Sequence, residues 1–317
     1  MNTVFIDGQV GTTGLQIHER LSQRTDIELL QISVEDRKNP LIKHQLINSA
    51  DVVILCLPDD AARETVALID NPNTRVLDAS TAHRIAPDWV YGLAELAPQQ
   101  REKIRQGHFI SNPGCWATGF LLAVTPLIRS GLLRADIPLI CHGVSGYSGG
   151  GRNMIEKYAE RAQQQPEHLW YTRPYGLGLT HKHLNEMKHY AGLTLQPMFM
   201  PSVAHFPQGM LVNVPLPKNW FTADVNLQVV HNLLAEAYVG EPCVRLHDIN
   251  DNQALDDGFL EPQSNNGTNR NDLFVFGNDD QILLTSCLDN LGKGAAGAAV
   301  QNLNLMLDKD ELTGLTV

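Results

Sequence analysis

The chain has 317 residues, 43% of them hydrophobic, enough for two domains or one large one with a sizeable core. Asp and Glu number 35 against 24 Lys and Arg, a formal charge of -11, which argues against a nucleic-acid partner because binding a phosphate backbone needs a basic surface. No apolar run approaches the roughly 20 residues of a membrane span, so no membrane partner is expected. The 5 cysteines are odd in number and none has CxxC spacing, so neither a disulfide framework nor a metal site is expected.

The opening "MNTVFIDGQVG" enters a strand at once, without the basic and apolar regions of a signal peptide, and points to a cytoplasmic protein. "TVFIDG" followed by "QVGTTGLQIHERL" reads as strand, glycine turn and helix. Gly8, Gly11 and Gly14 have GxxGxxG spacing. With Thr12 and Thr13 at the helix start, they stand where a dinucleotide's pyrophosphate meets backbone N–H groups. Three spaced glycines would also make a plain tight turn. The next strand, "IELLQIS", ends at Ser33, not at an acid. An acid there would bind the ribose 2′-hydroxyl of NAD. A small hydroxyl with Arg37 following suits the 2′-phosphate of NADP(H) better.

"DVVILCLPDDAARETVALI" reads as a buried strand, a turn at Pro58 and a helix, and "RVLDAS" is another strand. Strand and helix alternating predict a Rossmann-type parallel sheet with helices on both faces, with Pro58 and Ser80 at its ligand-binding carboxyl edge. In "SNPGCWATGF", Pro113 and Gly114 form a turn and a helix runs from Trp116 to Ile128. Cys115 then lies at a helix N-terminus, where unpaired N–H groups and the macrodipole favour a thiolate. A small buried residue is the plain alternative. Cys56, Cys141 and Cys287 sit in apolar runs and read as core.

Beyond Cys115 the pattern changes. "PLICHGVSG" is a strand, and "YSGGGR" is a glycine run leading to Arg152 and the helix "NMIEKYAERAQQQ". That turn, with Ser148 and Gly149, could present backbone donors and a guanidinium to an anion. The second histidine of "THKH" would share a face with the first in a strand but not in a helix. "LQPMFMPSVAHFPQGMLVNVPLP" contains a strand broken by Pro201 and Pro207. Residues 250–272 read as a long loop, and "RNDLFVFGNDDQILLTSCLDN" as a hairpin turning at 277–280. These strands predict a mixed or antiparallel second sheet. The small residues of "NLGKGAAGAAVQNLNLML" permit close approach, in a helix returning to the first domain. The expected organisation is α/β: a Rossmann domain over 1–114 completed by 291–317, and an α+β catalytic and oligomerisation domain over 115–290.

The stretches "SNPGCWATG", "GVSGYSGGGR", "THKH", "YGLAEL", "DASTAHR" and "DNLGKGAAGAAVQN" cover nearly the whole chain in order. Together they resemble the N-acetyl-gamma-glutamyl-phosphate reductase family in its shorter bacterial form. The resemblance implies NADPH-dependent reduction of a small acyl phosphate to an aldehyde, with release of inorganic phosphate, in arginine biosynthesis. It implies Cys115 as the nucleophile forming a thioester and His181 as acid and base, in preference to His183. It implies Asn290 among the cofactor contacts, Arg152 with Ser148 and Gly149 as substrate contacts, Arg84 as the second candidate for an anion, and a homo-oligomer. The ordinary alternative for either arginine is a surface salt bridge. The family commonly reads His-Arg-His-x-Pro-Glu where this chain has "HKHLNE", so Lys182 loses a planar fork. Trp116 replaces a common Tyr, with no mechanistic consequence expected. Aspartate-semialdehyde dehydrogenase or a lysine-pathway reductase would use the same chemistry. A non-catalytic NADP-binding sensor is the alternative of another class.

The Ser33 and Arg37 assignment is directly testable. Arg37→Ala should weaken NADPH by about ten- to a hundredfold, the loss of one charge-assisted contact, and NADH far less. Equal weakening of both in a fluorescence titration would place the 2′-phosphate elsewhere.

Overall fold

The computed structural model describes residues 1–36 and 39–317. Its contacts gather into two compact units: Met1–Pro113 with Ala295–Leu315, and Gly114–Gly294 with Thr316–Val317.

The first unit runs β1 (Asn2–Asp7), α1 (Thr12–Ser22), β2 (Ile27–Leu30), α2 (Pro40–Ser49), β3 (Val52–Leu55), α3 (Asp59–Val66), β4 (Arg75–Asp78), β5 (Val90–Tyr91), α4 (Gln100–Gln106) and β6 (Phe109–Ser111). The strands form one sheet in the order β2-β1-β3-β4-β6-β5, each neighbouring pair parallel. Side chains alternate across it. Val4, Ile6, Val52 and Ile54 pack on one face with Ile17 and Leu21 of α1. Phe5, Val53 and Leu55 pack on the other with Ile47 of α2 and Ala62 of α3. Burial on both faces is why these strands read as near-continuous apolar runs. β2 is shorter than its apolar run: it stops at Leu30. Ser33 instead closes a turn, its Oγ accepting from the Asp36 N–H at 3.0 Å and donating to Asp36 Oδ2 at 2.7 Å. A serine side chain offers the backbone this alternative to a ladder.

The second unit begins with α5 (Cys115–Arg129) and continues β7 (Ile140–Gly146), α6 (Gly151–Gln164), β8 (Thr172–Pro174), α7 (Leu184–Ala191), β9 (Met198–Ala204), β10 (Met210–Pro217), α8 (Leu227–Ala237), β11 (Val244–Leu246), β12 (Asn271–Gly277) and β13 (Gln281–Leu288). Its mixed sheet has the order β11-β12-β13-β10-β7-β9-β8. α5 packs on one face, where Gly119 lies against Val212 of β10. β12 and β13 form the expected hairpin, with Asn278 N–H donating to the Gln281 carbonyl. The stretch 250–270 is irregular apart from one 3-10 turn, Asn252–Ala254. Pro207 lies between strands, but Pro201 does not break one: it sits inside β9. The Pro201 carbonyl accepts from Tyr175 N–H just past the end of β8. The donor that proline lacks therefore falls where the ladder has already stopped.

After β13 the chain makes a π-helical turn, Gly292–Ala296, and then α9 (Gly297–Met306) rejoins the first unit. Ala299, Val300 and Leu303 of α9 lie in the same core cluster as Val4 and Ile54.

One polar cluster lies among the strands of the second unit. His247 stacks on Phe274 and meets Asp251 through Nδ1 and Asp272 through Nε2, each at 3.0 Å. Burial opposes a charge on the ring, but the two carboxylates outweigh it and its pKa is raised above 6.5. A raised folded value contributes stability that is complete below the unfolded pKa and is lost as pH rises through the folded one. His247→Asn should therefore lower Tm by about 2–4 °C near pH 6. The gap should narrow toward pH 9. A gap that widens with pH would contradict this account.

Candidate active site

At the start of the first unit, the glycine turn has three distinct demands. Gly8 has φ +93°, and a Cβ there would stand 2.3 Å from the Cys56 carbonyl oxygen. A Cβ on Gly14 would stand 2.4 Å from the Gly8 oxygen, so α1 packs too closely on the turn for any side chain. At Gly11 a Cβ would meet nothing in the protein nearer than 3.7 Å. Internal packing explains two glycines and leaves the third open for a ligand. Gly11 is the N-cap of α1 and makes no side-chain cap, and the first turn, with Thr12 and Thr13, carries no acid. Uncapped N–H groups without a competing carboxylate fit a pyrophosphate. Ser33 is engaged with Asp36, as described above, and Arg37 lies outside the described residues.

Pro58 is the N-cap of α3 at the carboxyl end of β3. Ser80 follows β4, but its hydroxyl is committed: it donates to Asp78 Oδ2 at 2.7 Å, and Ser80 N–H donates to Oδ1 at 2.8 Å. Asp78 is fully buried and also meets His83 Nδ1 at 2.7 Å. This knot shapes the loop that carries Arg84. Arg84 is buried, with Nε donating to the Asn112 carbonyl at 3.1 Å. Asn112 is held further by its N–H on the Asp78 carbonyl and its Nδ2 on the Ala295 carbonyl.

Cys115 is the first residue of α5, after the N-cap Gly114, which provides no side-chain cap. It is half-buried, whereas Cys141, Cys243 and Cys287 are buried. Desolvation pushes the thiols of Cys56 and Cys287 up to about 12, with carboxylates near each adding to the effect, and that of Cys141 higher. Those three are held as inert thiols. Cys115 alone combines partial exposure with a helix start.

The histidines sit in the turn entering α7. His183 is the N-cap residue and is buried, while His181 is half-buried. They are in neither the strand nor the helix weighed from sequence, and their rings meet edge-on at 4.7 Å. His183 N–H donates to His181 Nδ1 at 3.2 Å. In the neutral ring this puts the remaining proton on Nε2. Glu186, absent from the sequence-derived site, is 1% exposed. Its Oε2 accepts from Gly114 N–H at 3.1 Å, and its Oε1 lies 3.9 Å from His183 Nε2. Its signal was present in "HKHLNE": a carboxylate three residues past a histidine, on one helical face.

Two further residues were missed. Tyr175 lies 5.9 Å from the His181 ring, and its Oη accepts from Trp116 Nε1 at 3.1 Å. No sequence feature marks it. Lys293 is fully buried in the π-turn, and a Cβ on the adjacent Gly294 would stand 2.6 Å from Cys115 Cβ. A lone charge in a Gly/Ala run was its signal. π-turns of this kind recur at functional sites.

The glycine run forms a 3-10 turn, Tyr147–Gly150. Ser148 Oγ accepts from Asn290 Nδ2 at 3.0 Å, and Asn290 Oδ1 accepts from Gly209 N–H at 2.8 Å. Asn290 is thus tied to the Ser148 turn within the second unit. Gly149 is exposed beside it. Arg152, in the first turn of α6, is exposed and paired with Glu156 at 2.8 Å. Among the described residues no group of His, Cys, Asp and Glu could hold a metal ion, and no helix is long and apolar enough to cross a membrane.

Comparison with known proteins is consistent along the chain. Residues 33–105 match the semialdehyde dehydrogenase NAD binding domain and residues 115–290 the semialdehyde dehydrogenase dimerisation domain. N-acetyl-gamma-glutamyl-phosphate reductase 2 from Nostoc sp. is 49% identical over 98% of both chains. The chain belongs to the N-acetyl-gamma-glutamyl-phosphate reductase family. A second member, from Pseudomonas putida, is 47% identical over 96% of both chains. Among solved structures, aspartate semialdehyde dehydrogenase II from Vibrio cholerae, complexed with ASA, has a TM-score of 0.73 at 16% identity, covering 97% of this chain and 98% of that one. Aspartate semialdehyde dehydrogenase with NADP from Candida albicans has a TM-score of 0.63 at 12% identity, over 97% and 98%. At such identities the likeness concerns the fold, and the family rests on the near-full-length relatives.

Proposed function

We propose that the chain reduces N-acetyl-gamma-glutamyl phosphate to N-acetylglutamate semialdehyde with NADPH, releasing inorganic phosphate, as a cytoplasmic step of arginine biosynthesis. The single observation that carries the reading is Cys115, a half-buried thiol at an uncapped helix start in a chain with full-length relatives of that name. Five free thiols fit a reducing compartment.

The Cys115 thiolate attacks the acyl carbon, the carbon–sulfur bond forms, and the bond to the phosphate oxygen breaks with phosphate leaving. A covalent thioester splits one hard step into two easier ones. The first N–H groups of α5 face charge developing at sulfur and at the carbonyl oxygen. NADPH, when bound at the Gly8–Gly11–Gly14 turn, supplies a hydride to the thioester carbon. His181, as the imidazolium, would give its Nε2 proton to the hemithioacetal oxygen as charge forms there; the neutral ring left behind would take that proton back from the hydroxyl as the aldehyde is released and the thiolate departs. Charging the ring places a proton on Nδ1, so the bond that Nδ1 accepts from His183 N–H is given up in that state. A histidine can serve as both acid and base. Ser33 and Arg37 would hold the 2′-phosphate, with Pro58, Ser80 and Asn290 as further cofactor contacts. Ser33 would exchange its bond to Asp36 for one to the phosphate. Arg152, Ser148 and Gly149 would receive the substrate's anionic groups, Arg152 by leaving Glu156. Arg84, holding the Asn112 backbone, is the second candidate.

The second unit would form a homo-oligomer through its sheet. α5 covers one face, and the other leaves Met198 and Met200 of β9 each 43% exposed, beside the half-buried Val144 and Leu211. A matched dimerisation domain and an uncovered apolar sheet face both favour a second copy as occupant. Met200→Glu should produce a smaller species by light scattering; an unchanged mass would remove this face from the interface.

Turnover is best measured in reverse, with N-acetylglutamate semialdehyde, NADP and phosphate. Cys115→Ser should abolish it while NADP binding persists, because an alkoxide is far harder to form than a thiolate. His181→Asn should reduce it by about 10²–10⁴-fold, and His183→Asn by less. Near-normal turnover in Cys115→Ser would refute the thioester. A crippled His183→Asn beside a healthy His181→Asn would move the proton-transfer role two residues along.

A further inference from the structure

The turn that follows β13 is fastened by both the main chain and the side chain of one residue. Asp289 is fully buried, and its carboxylate holds three donors. Oδ1 accepts from Leu291 N–H at 2.8 Å. Oδ2 accepts from Gly267 N–H at 2.8 Å and from Gln208 Nε2 at 2.5 Å. The Asp289 carbonyl accepts from Gly294 N–H at 2.9 Å, the i to i+5 bond of a π-turn. On one side the turn is tightly seated: a Cβ on Gly292 would stand 2.1 Å from the Thr268 carbonyl oxygen and 2.9 Å from Asp289 Cβ. On the other side is Cys115. A Cβ on Gly294 would stand 2.6 Å from Cys115 Cβ and 3.3 Å from Cys115 Cα. Carboxylate, turn and thiol-bearing residue thus form one run of direct contacts, all within the second unit.

We infer that Asp289 is a positioning residue for the Cys115 nucleophile, acting through the main chain of Gly294. A side chain swings between staggered rotamers about its Cα–Cβ bond. Main chain packed directly on Cys115 Cβ closes part of that swing, so the place of Sγ depends on where the turn lies. A nucleophile must be aligned with the acyl carbon, and a misplacement of about 1 Å can cost about 10²-fold in rate. Only a carboxylate serves all three donors. An amide has a single oxygen, and whichever way it is turned its NH₂ faces either Leu291 N–H or the Gly267 and Gln208 donors. The same three bonds offset the cost of burying the charge. With its oxygens turned to these donors, Asp289 shapes the site without entering the reaction.

This role rests on Cys115 being the nucleophile, and the experiment separates the two. In the wild type, alkylation of Cys115 by iodoacetamide, located by peptide mass spectrometry, should abolish turnover; if turnover survives complete labelling, the nucleophile itself is wrong. Asp289→Asn and Gly294→Ala are then measured in the reverse direction. Asp289→Asn should lower kcat by about 10- to 100-fold, with KM for the semialdehyde within about threefold of wild type. Gly294→Ala, whose methyl meets Cys115 Cβ directly, should lower kcat at least as much. Because one residue acts through the other, the double variant should be no worse than the more damaged single one. A loosened fold has a different mark. Cys141, Cys243 and Cys287 are buried and should stay unlabelled by iodoacetamide in Asp289→Asn. Should they label, Gln208→Ala takes its place: it removes one donor, leaves the carboxylate, and should lower kcat roughly two- to tenfold with those thiols protected. Wild-type kcat in Asp289→Asn with protected thiols, or in Gln208→Ala where that replaces it, overturns the positioning role. So do losses that multiply in the double variant, and so does a loss confined to KM.

Discussion

A buried carboxylate at the mouth of one helix organises the candidate site. Glu186 is almost wholly removed from water, yet Gly114 N–H, at the entrance to α5, donates to it. An isolated buried carboxylate costs several kcal/mol. A helix dipole returns about 0.3–1 kcal/mol, up to about 2 in partly buried geometry, and a hydrogen bond to a charged acceptor about 1.5–3. Neither suffices alone; together, with His183 nearby, they are of the needed size. Glu186 therefore fixes α7 to the start of α5, and with it the histidine turn to the residue before Cys115. A carboxylate also opposes a second negative charge at sulfur. The first N–H groups of α5, left without a side-chain cap, are the answering donors.

Within the first unit, polar groups at the carboxyl ends of the strands are arranged before any ligand arrives. Asp78 spends its carboxylate on Ser80 and His83. Asn112 is held through its N–H, its carbonyl and its side chain, by Asp78, Arg84, Ala295 and Asn302. Such networks lock loop geometry, although Asn302 Oδ1 is buried without a partner. The glycine turn follows the opposite rule, with Gly11 leaving space that no protein atom fills.

The second unit is built on asymmetry. One face of its sheet is closed by α5, with Met210, Val212, Val214 and Leu216 of β10 all buried. Alternate residues of the same strand, Leu211, Asn213, Pro215 and Pro217, are only half-buried. Strict alternation along an antiparallel strand reports a sheet with one packed face. Burial raises the thiols of Cys56, Cys141 and Cys287, while Cys115 stands partly exposed at the start of α5.

Local sequence was enough for the glycine turn, the run of parallel strands, the Cys115 helix and the hairpin at 277–280, because each depends on neighbours within a few residues: turn chemistry, apolar periodicity and helix capping. It was enough, too, to nominate Cys115 and the histidine pair. It overextended β2 to Ser33, since a side-chain turn competes with the ladder. It broke a strand at Pro201, since whether a proline interrupts depends on which side its missing donor faces. Glu186, Tyr175 and Lys293 became members of the site only in three dimensions. Glu186 meets Gly114 across 72 residues and Tyr175 meets Trp116 across 59. A single sequence carries no record of contacts at that separation, because the direction of a side chain and the burial of a charge are properties of what packs around them.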